Sequence, residues 1–429
     1  MSRVCEEAPV TSIVTAETTV DAVSLTGVFD DLAAPRIAWF GADRTYVAGG
    51  AVTTVQADGP KQLTQVRQQA NAVFSEGDSS QLESIPLLGG IRFGPSDATT
   101  PDWQGFPSAW FILPEVLAVE GDEDTQLVAV GAEQASAQRR LEQFKQTAMT
   151  AVEPASDPPG VKTTARRGSR SDWCQTVADV TDRLDAGALE KVVLAQTLEA
   201  TLEAPLDLGG ALAQLSTAYP RCYRFAMQPS PDAGIFIGAS PEQLVATDGA
   251  TIRTEALAGS ASRNAEADLD TDLQADPKTD REHGYVLETI RDRLRPHTAS
   301  IEIAGTGLRQ LKTLEHRRTP ITATPAGDVH VLSLVEALHP TPAVGGHPTD
   351  RARTLIERIE DFDRGWYAGP VGWFDAAGRG HFAVGIRSML IRDQQAHLFA
   401  GAGIVAESDP KTEYDEIGLK YRPMLDVLQ

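Results

Sequence analysis

Near the end of the chain, residues that could hold a charged ligand recur at helical spacing. Glu413, Glu416 and Lys420 stand at i, i+3 and i+7, so on a helix they share one face. A start signal precedes them, with Asp409 at the N-cap position and Pro410 in the first turn. Before that comes Ala400-Gly401-Ala402-Gly403-Ile404-Val405, which reads as a strand whose glycines let another group approach the backbone. Two carboxylates and an ammonium beside bare backbone suit a divalent cation with an anionic ligand. They equally suit a solvated helix face carrying an i, i+4 Glu–Lys pair. This segment alone leaves both readings open.

Other stretches carry matching chemistry. After Pro277, the spacing of Val286, Leu287, Ile290 and Leu294 predicts a helix with one apolar stripe, and Glu282 leans toward it. A half-buried carboxylate is costly without a partner, and two such helices facing each other need a cation between them. Lys191 opens a valine-rich strand, Lys191-Val192-Val193-Leu194-Ala195-Gln196, where it could equally snorkel to water. Arg387 sits in a predicted strand among apolar neighbours and needs an anionic partner there. Glu242 follows Pro241 in a turn, a place where glutamates are usually solvated. Gly259 and Ser260 lie in another run of small residues able to line a cavity.

Composition narrows the classes. A net charge of −22 over 429 residues argues against nucleic acid as the main partner. The cations are eight Lys against thirty Arg. An acidic, lysine-poor chain suits a salt-rich, halophilic cytoplasm, where the Debye length falls to roughly 3 Å at 1 M and self-repulsion is screened. Cys5, Cys174 and Cys222 are odd in number and widely spaced, so neither a disulfide framework nor a zinc site is indicated. No apolar run reaches the ~18 residues of a membrane span, and the N-terminus lacks the pattern of a signal peptide. A cytoplasmic location is expected. The run from Gly401 to Ala406 formally fits a dinucleotide fingerprint. It lies near the chain end, outside the βαβ context that motif requires.

The positioning elements alternate irregularly between strands and helices, without βαβ order, so an α+β fold is expected. The first 150 residues predict a hairpin over 37–55 turning at Gly49–Gly50, and a helix over 58–76. Two strands joined across Gly121 and Asp122 follow, then a helix over 134–149. Residues 151–171 are rich in Pro, Gly, Ser and charge and read as an exposed loop. A helix capped by Ser171 opens the remainder.

With these pieces in place, the sequence resembles the chorismate-utilising enzymes, and within them the isochorismate synthases. The resemblance rests on KVVLAQ at 191–196, GASPEQLV at 238–245, EALAGSASR at 255–263, KTDREH at 278–283 and ALHPTPAVGGHP at 337–348. It continues through FDRGWYAGPVGW at 362–373, GIRSML at 385–390 and AGAGIVAESDPKTEYDEIGLK at 400–420. It implies large antiparallel sheets sandwiched by outer helices. The chain would then be one domain of 1–429, with 1–150 the variable N-terminal part and 172–429 the catalytic core.

The same resemblance implies an Mg2+ site at Glu282 and Glu416, with Glu413 in support, holding the ring carboxylate of chorismate. Arg387 and Tyr367 would grip the enolpyruvyl carboxylate and Lys420 the ring carboxylate. Gly259, Gly401 and Gly403 would be close walls, with Ser260, His316, His339 and Ala343 also at the substrate. Lys191 matches the lysine that activates water for attack at C2, where ammonia-using relatives carry Gln. Glu242 matches the acid that protonates the leaving C4 hydroxyl. A lysine base must lose its proton, which desolvation among Val192, Val193 and Leu194 favours. Thr279 stands where relatives carry an acid one turn before Glu282, and Arg317 and Arg318 follow His316 where an apolar neighbour is expected. The runner-up activities are salicylate synthesis and amination to anthranilate or aminodeoxychorismate. A working monomer without a glutaminase subunit is expected.

Overall fold

A computed structural model describes residues 13–76, 82–94, 100–155, 157–187, 189–262, 277–310 and 314–429, with backbone alone at 76, 260–262, 277–278 and 314. Two antiparallel sheets form its frame. The first runs from Val14–Asp21 through Asp124–Gly131, Val116–Glu120, Thr45–Gly49, Arg36–Phe40 and Tyr223–Gln228. It continues through Ile235–Ser240, Ser388–Arg392 and Gln395–Ile404 to Lys191–Leu202. The second runs from Thr298–Ile303 through Leu314–Pro325, Ile252–Ser262, Gln243–Thr247 and Gly380–Val384 to Pro370–Phe374, Leu87–Ile91, Ala109–Leu113 and Thr53–Ala57. Central strands such as Ile235–Ser240 and Thr45–Gly49 are buried at every residue, as both faces of their sheet are covered. Trp366 bridges the sheets, packing on Phe236 of the first and Trp110 of the second. The expected α+β class is the one observed.

Four local expectations change. The N-terminal hairpin pairs Arg36–Phe40 with Thr45–Gly49, so its turn lies at 41–44. Gly50, at φ 67°, instead sends the chain across to the other sheet. Within 151–171, Val161–Arg166 is a strand paired with Lys191–Leu202, not an exposed loop. Ahead of it the chain is packed: a Cβ on Gly27 would collide with the Val152 carbonyl, and one on Gly210 with that of Ala155. The helix Arg170–Asp185 is capped by Ser169 and not Ser171, because only Ser169 has an acid three residues on. Asp172 returns the hydrogen bond to the Ser169 N–H, completing a capping box.

The fourth change concerns Arg387. The run over 381–393 is two strands, Gly380–Val384 of the second sheet and Ser388–Arg392 of the first. Arg387 sits at the crossing between them with φ 51°, a left-handed conformation that costs a side-chain-bearing residue roughly 1–3 kcal/mol.

Candidate active site

At one end of the sheets, a cavity of about 200 Å3 is enclosed by strands on one side and two helices on the other. The helix Pro410–Lys420 starts as its sequence demands, with the Asp409 side chain accepting from the Thr412 N–H at 2.9 Å. It turns Glu413, Glu416 and Lys420 into the cavity together. The Lys420 ammonium lies 2.6 Å from the Glu416 carboxylate and donates to the Gly401 carbonyl at 2.7 Å. That second bond ties the helix to the small-residue strand Gln395–Ile404 beneath it. The solvated-face alternative fails, since Glu413 is buried and Lys420 is held to the strand.

The helix Pro277–Leu294 brings Glu282 to the same space, where it meets Lys191 of the facing strand at 3.3 Å. Both partners are buried, so Lys191 does not snorkel. Gly403 makes this geometry possible, because a Cβ there would stand 2.9 Å from the Lys191 Cε and 3.4 Å from a Glu282 carboxylate oxygen. Gly259 has a parallel role. It adopts φ 77° at a bulge in Ile252–Ser262, and any Cβ on it would collide with the Thr279 methyl. The helix can therefore sit against bare backbone.

Glu242 forms another wall. It is buried, its N–H donates to the Ser240 hydroxyl at 3.2 Å, and Thr341 reaches its carboxyl at 3.5 Å. Burial, reinforced by the charge of Glu255 behind it, pushes its pKa up to about 8, against the opposing pull of Lys191, Thr341 and Arg309. At neutral pH it is mostly a protonated acid. Arg387 is also buried, and one of its N–H groups points at the His316 Nε2, 3.4 Å away. Burial and the neighbouring arginine hold His316 neutral, with its pKa well below the usual value, so Nε2 can accept. His316 is buried and stands in the cavity wall beside Arg387. Tyr367, stacked on Phe399 at 5.2 Å, is pushed up to about 12 by burial and stays a neutral phenol.

Of the sequence candidates, Lys191, Glu242, Gly259, Glu282, His316, Ala343, Tyr367, Arg387, Gly401, Gly403, Glu413, Glu416 and Lys420 all line the cavity. His339 does not. Its ring packs on Phe93 and bonds the Phe93 carbonyl at 2.9 Å. For Ser260 only the backbone is described, paired with His316; its side chain lies outside the described residues. Thr279, Val344 and Phe399 also line the cavity, and Thr341 touches Glu242. Thr341 lies in the ALHPTPAVGGHP run, but its partner is 99 residues away, which no local pattern reveals.

The charges in this cavity bear on a metal. With Glu242 protonated and His316 neutral, three carboxylates (Glu282, Glu413, Glu416) face Lys420 and Arg387, and Lys191 adds a third cation only while it keeps its proton. A dianionic ligand admitted to this site leaves it net negative in either state of Lys191, which a divalent cation offsets. Among the described residues no three His, Cys, Asp or Glu side chains form a ready-made cage. Mg2+ does not need one. It is commonly held by one or two carboxylates, with ligand oxygens and water completing the shell. Glu282 and Glu416, arriving from separate helices, fit that pattern.

Two antiparallel sheets flanked by helices, closing on a cavity of acids and bases, define an enzyme for a small anionic substrate. The family model for a chorismate binding enzyme matches residues 2–429, and the chain belongs to that family. It is 33% identical over 361 residues to isochorismate synthase MenF of Bacillus subtilis, covering 80% of this chain and 74% of that one. To the salicylate biosynthesis isochorismate synthase of Pseudomonas aeruginosa it is 32% identical over 426 residues, covering 95% and 88%. Among solved structures it resembles MenF, the menaquinone-specific isochorismate synthase from Escherichia coli. That match has a TM-score of 0.82 at 26% identity and covers 97% of this chain and 95% of that one.

Proposed function

We propose that this chain is an isochorismate synthase, converting chorismate to isochorismate by adding water at C2 and expelling the C4 hydroxyl. The observation that carries the reading is a buried acid and a buried lysine on one cavity, with Glu242 held largely protonated at neutral pH. Lys191 takes a proton from water as its oxygen bonds to C2. Both ring double bonds shift, from C1=C2 and C5=C6 to C1=C6 and C4=C5, the C4–O bond breaks, and Glu242 donates its proton to the departing hydroxyl. One water enters and one leaves, so substrate and product are isomers. An acid poised near the working pH is suited to this role.

Arg387 and the Tyr367 phenol face the enolpyruvyl carboxylate, and Lys420 the ring carboxylate. Glu282 and Glu416, supported by Glu413, would hold Mg2+, whose charge when bound offsets that of the substrate. The sheet walls at Gly401 and Gly403 exclude bulk water from the reacting face. With water as nucleophile no glutaminase subunit is needed, so the proposed working unit is the single chain. By the company of its relatives, it serves menaquinone biosynthesis in the cytoplasm.

The test is product analysis by chromatography after incubation with chorismate and Mg2+, with and without ammonia. Isochorismate alone, unchanged by ammonia, is expected. Anthranilate, aminodeoxychorismate, or salicylate with pyruvate would overturn the assignment.

A further inference from the structure

The strand Lys191–Leu202 is bordered along one side by Gln395–Ile404, but its other edge is incompletely covered. There, Gly346–His347 pairs only with residues 191–192, and Val161–Arg166 only with 198–202. Among the described residues no strand covers the stretch between them. Two side chains stand in its place. A Glu360 oxygen accepts from the Ala195 N–H at 2.7 Å, and Arg364 donates to the Val193 carbonyl at 2.7 Å. Glu360 and Arg364 are joined by two hydrogen bonds, of 2.8 and 2.5 Å, and are nearly fully buried.

Arg364 also donates to the Val344 carbonyl at 2.9 Å, and its guanidinium covers the Phe93 ring at 4.3 Å. Three residues further on is Tyr367, whose N–H donates to the Arg364 carbonyl at 2.8 Å. One ion pair thus touches the strand that begins with Lys191, the turn that supplies Ala343 and Val344, and the segment that supplies Tyr367. Neither member lines the cavity.

We propose that Glu360 and Arg364 are positioning residues, a side-chain clip replacing a missing strand neighbour and fixing Lys191 relative to the bound substrate. The proposal rests on the reading of Lys191 as the base. Displacements of about 1 Å in such a group cost on the order of 100-fold in rate. The charged groups read as holding the substrate, Arg387 and Lys420, lie on other segments, and Tyr367 is the one substrate contact on a segment the pair holds.

The test combines steady-state kinetics with backbone amide exchange. Glu360→Ala is expected to lower kcat roughly 10- to 100-fold with KM changed less than about threefold. Glu360→Gln, whose amide oxygen can still accept from Ala195, is expected to recover most of that loss. Exchange at 193–197 should quicken in Glu360→Ala, while exchange in the remote strand Val14–Asp21 stays as in the wild type. Should Glu360→Ala not fold, Arg364→Lys serves instead, since it keeps the charge but loses the fork that reaches two carbonyls. Wild-type kcat in a folded Glu360→Ala or Arg364→Lys variant overturns the proposal. So does equal damage from Glu360→Gln and Glu360→Ala with exchange rising throughout the molecule. If the wild-type protein leaves chorismate unchanged, the proposed reaction fails, and local exchange still decides whether the clip exists.

Discussion

The cavity contains two lysine–glutamate pairs of opposite origin. Lys420 and Glu416 are one turn apart on a single helix, 2.6 Å from each other, and form whenever that helix forms. Lys191 and Glu282 come from a strand and a helix separated by 90 residues of chain, and meet at 3.3 Å only once both sheets and the helix are in place. The local pair is partly open to water, whereas the distant pair is buried. A binding contact tolerates the looser arrangement. The proton transfer proposed for Lys191 needs a tighter one, and Gly403 and Gly346 pack against Lys191 while the Glu360–Arg364 pair holds its strand at Val193 and Ala195.

The largest expected effect separates the pairs directly. Lys191→Ala should reduce isochorismate formation by about 10²–10⁴-fold while Mg2+-dependent chorismate binding, followed by calorimetry, persists. Near-normal turnover would remove Lys191 from its role. Next comes Glu242→Gln, expected to cost on the order of 100-fold in kcat. Because the acid form of Glu242 is present below about pH 8 and lost above it, the wild-type rate should fall as pH rises through that value. The residual rate of Glu242→Gln should lack that limb.

The same raised pKa has a stability consequence with a definite sign. Between the ordinary carboxylate range and about pH 8 the native state keeps a proton that the unfolded chain releases, so this contribution to stability declines as pH rises. Glu242→Gln should therefore gain stability relative to the wild type from pH 5 to pH 8 in denaturant titrations. A constant difference across that range would place the acid elsewhere.

On the local pair the expected effect is smaller and falls on binding. Lys420→Ala should raise KM about tenfold with kcat changed less, the signature of lost ground-state contact. Gly403→Ala crosses from one pair to the other, because its methyl would press on the Lys191 Cε at 2.9 Å. A loss of about tenfold in kcat with KM kept is expected there. The smallest effect concerns the whole surface. If the charge of −22 is an adaptation to salt, unfolding stability should rise by about 1–2 kcal/mol between low and multimolar KCl. Flat curves would remove the halophilic reading.

What could be read from sequence divides along the same line as the pairs. The face shared by Glu413, Glu416 and Lys420, its Asp409 cap and the α+β class follow from local spacing, and they stand in the structure as expected. That Glu282 would face Lys191 does not follow from any window of chain, and only the family resemblance brought them together. The apolar neighbours of Arg387 suggest one continuous strand through it, yet the chain changes sheets there at a positive φ. The resemblance implies His339 at the substrate, whereas its ring packs on Phe93, and the residue of that motif that touches Glu242 is Thr341. Nothing in the local sequence marks Glu360 and Arg364 as a buried pair. Their burial depends on a strand edge that, among the described residues, no other strand covers between Val193 and Thr197.

The most direct measurement is isotopic. Chorismate converted in water enriched with oxygen-18 should give isochorismate carrying one heavy oxygen at its C2 hydroxyl, and Lys191→Ala should give none over the same period. Unlabelled isochorismate from the wild type, or labelled product from Lys191→Ala at the wild-type rate, would contradict solvent attack driven by Lys191.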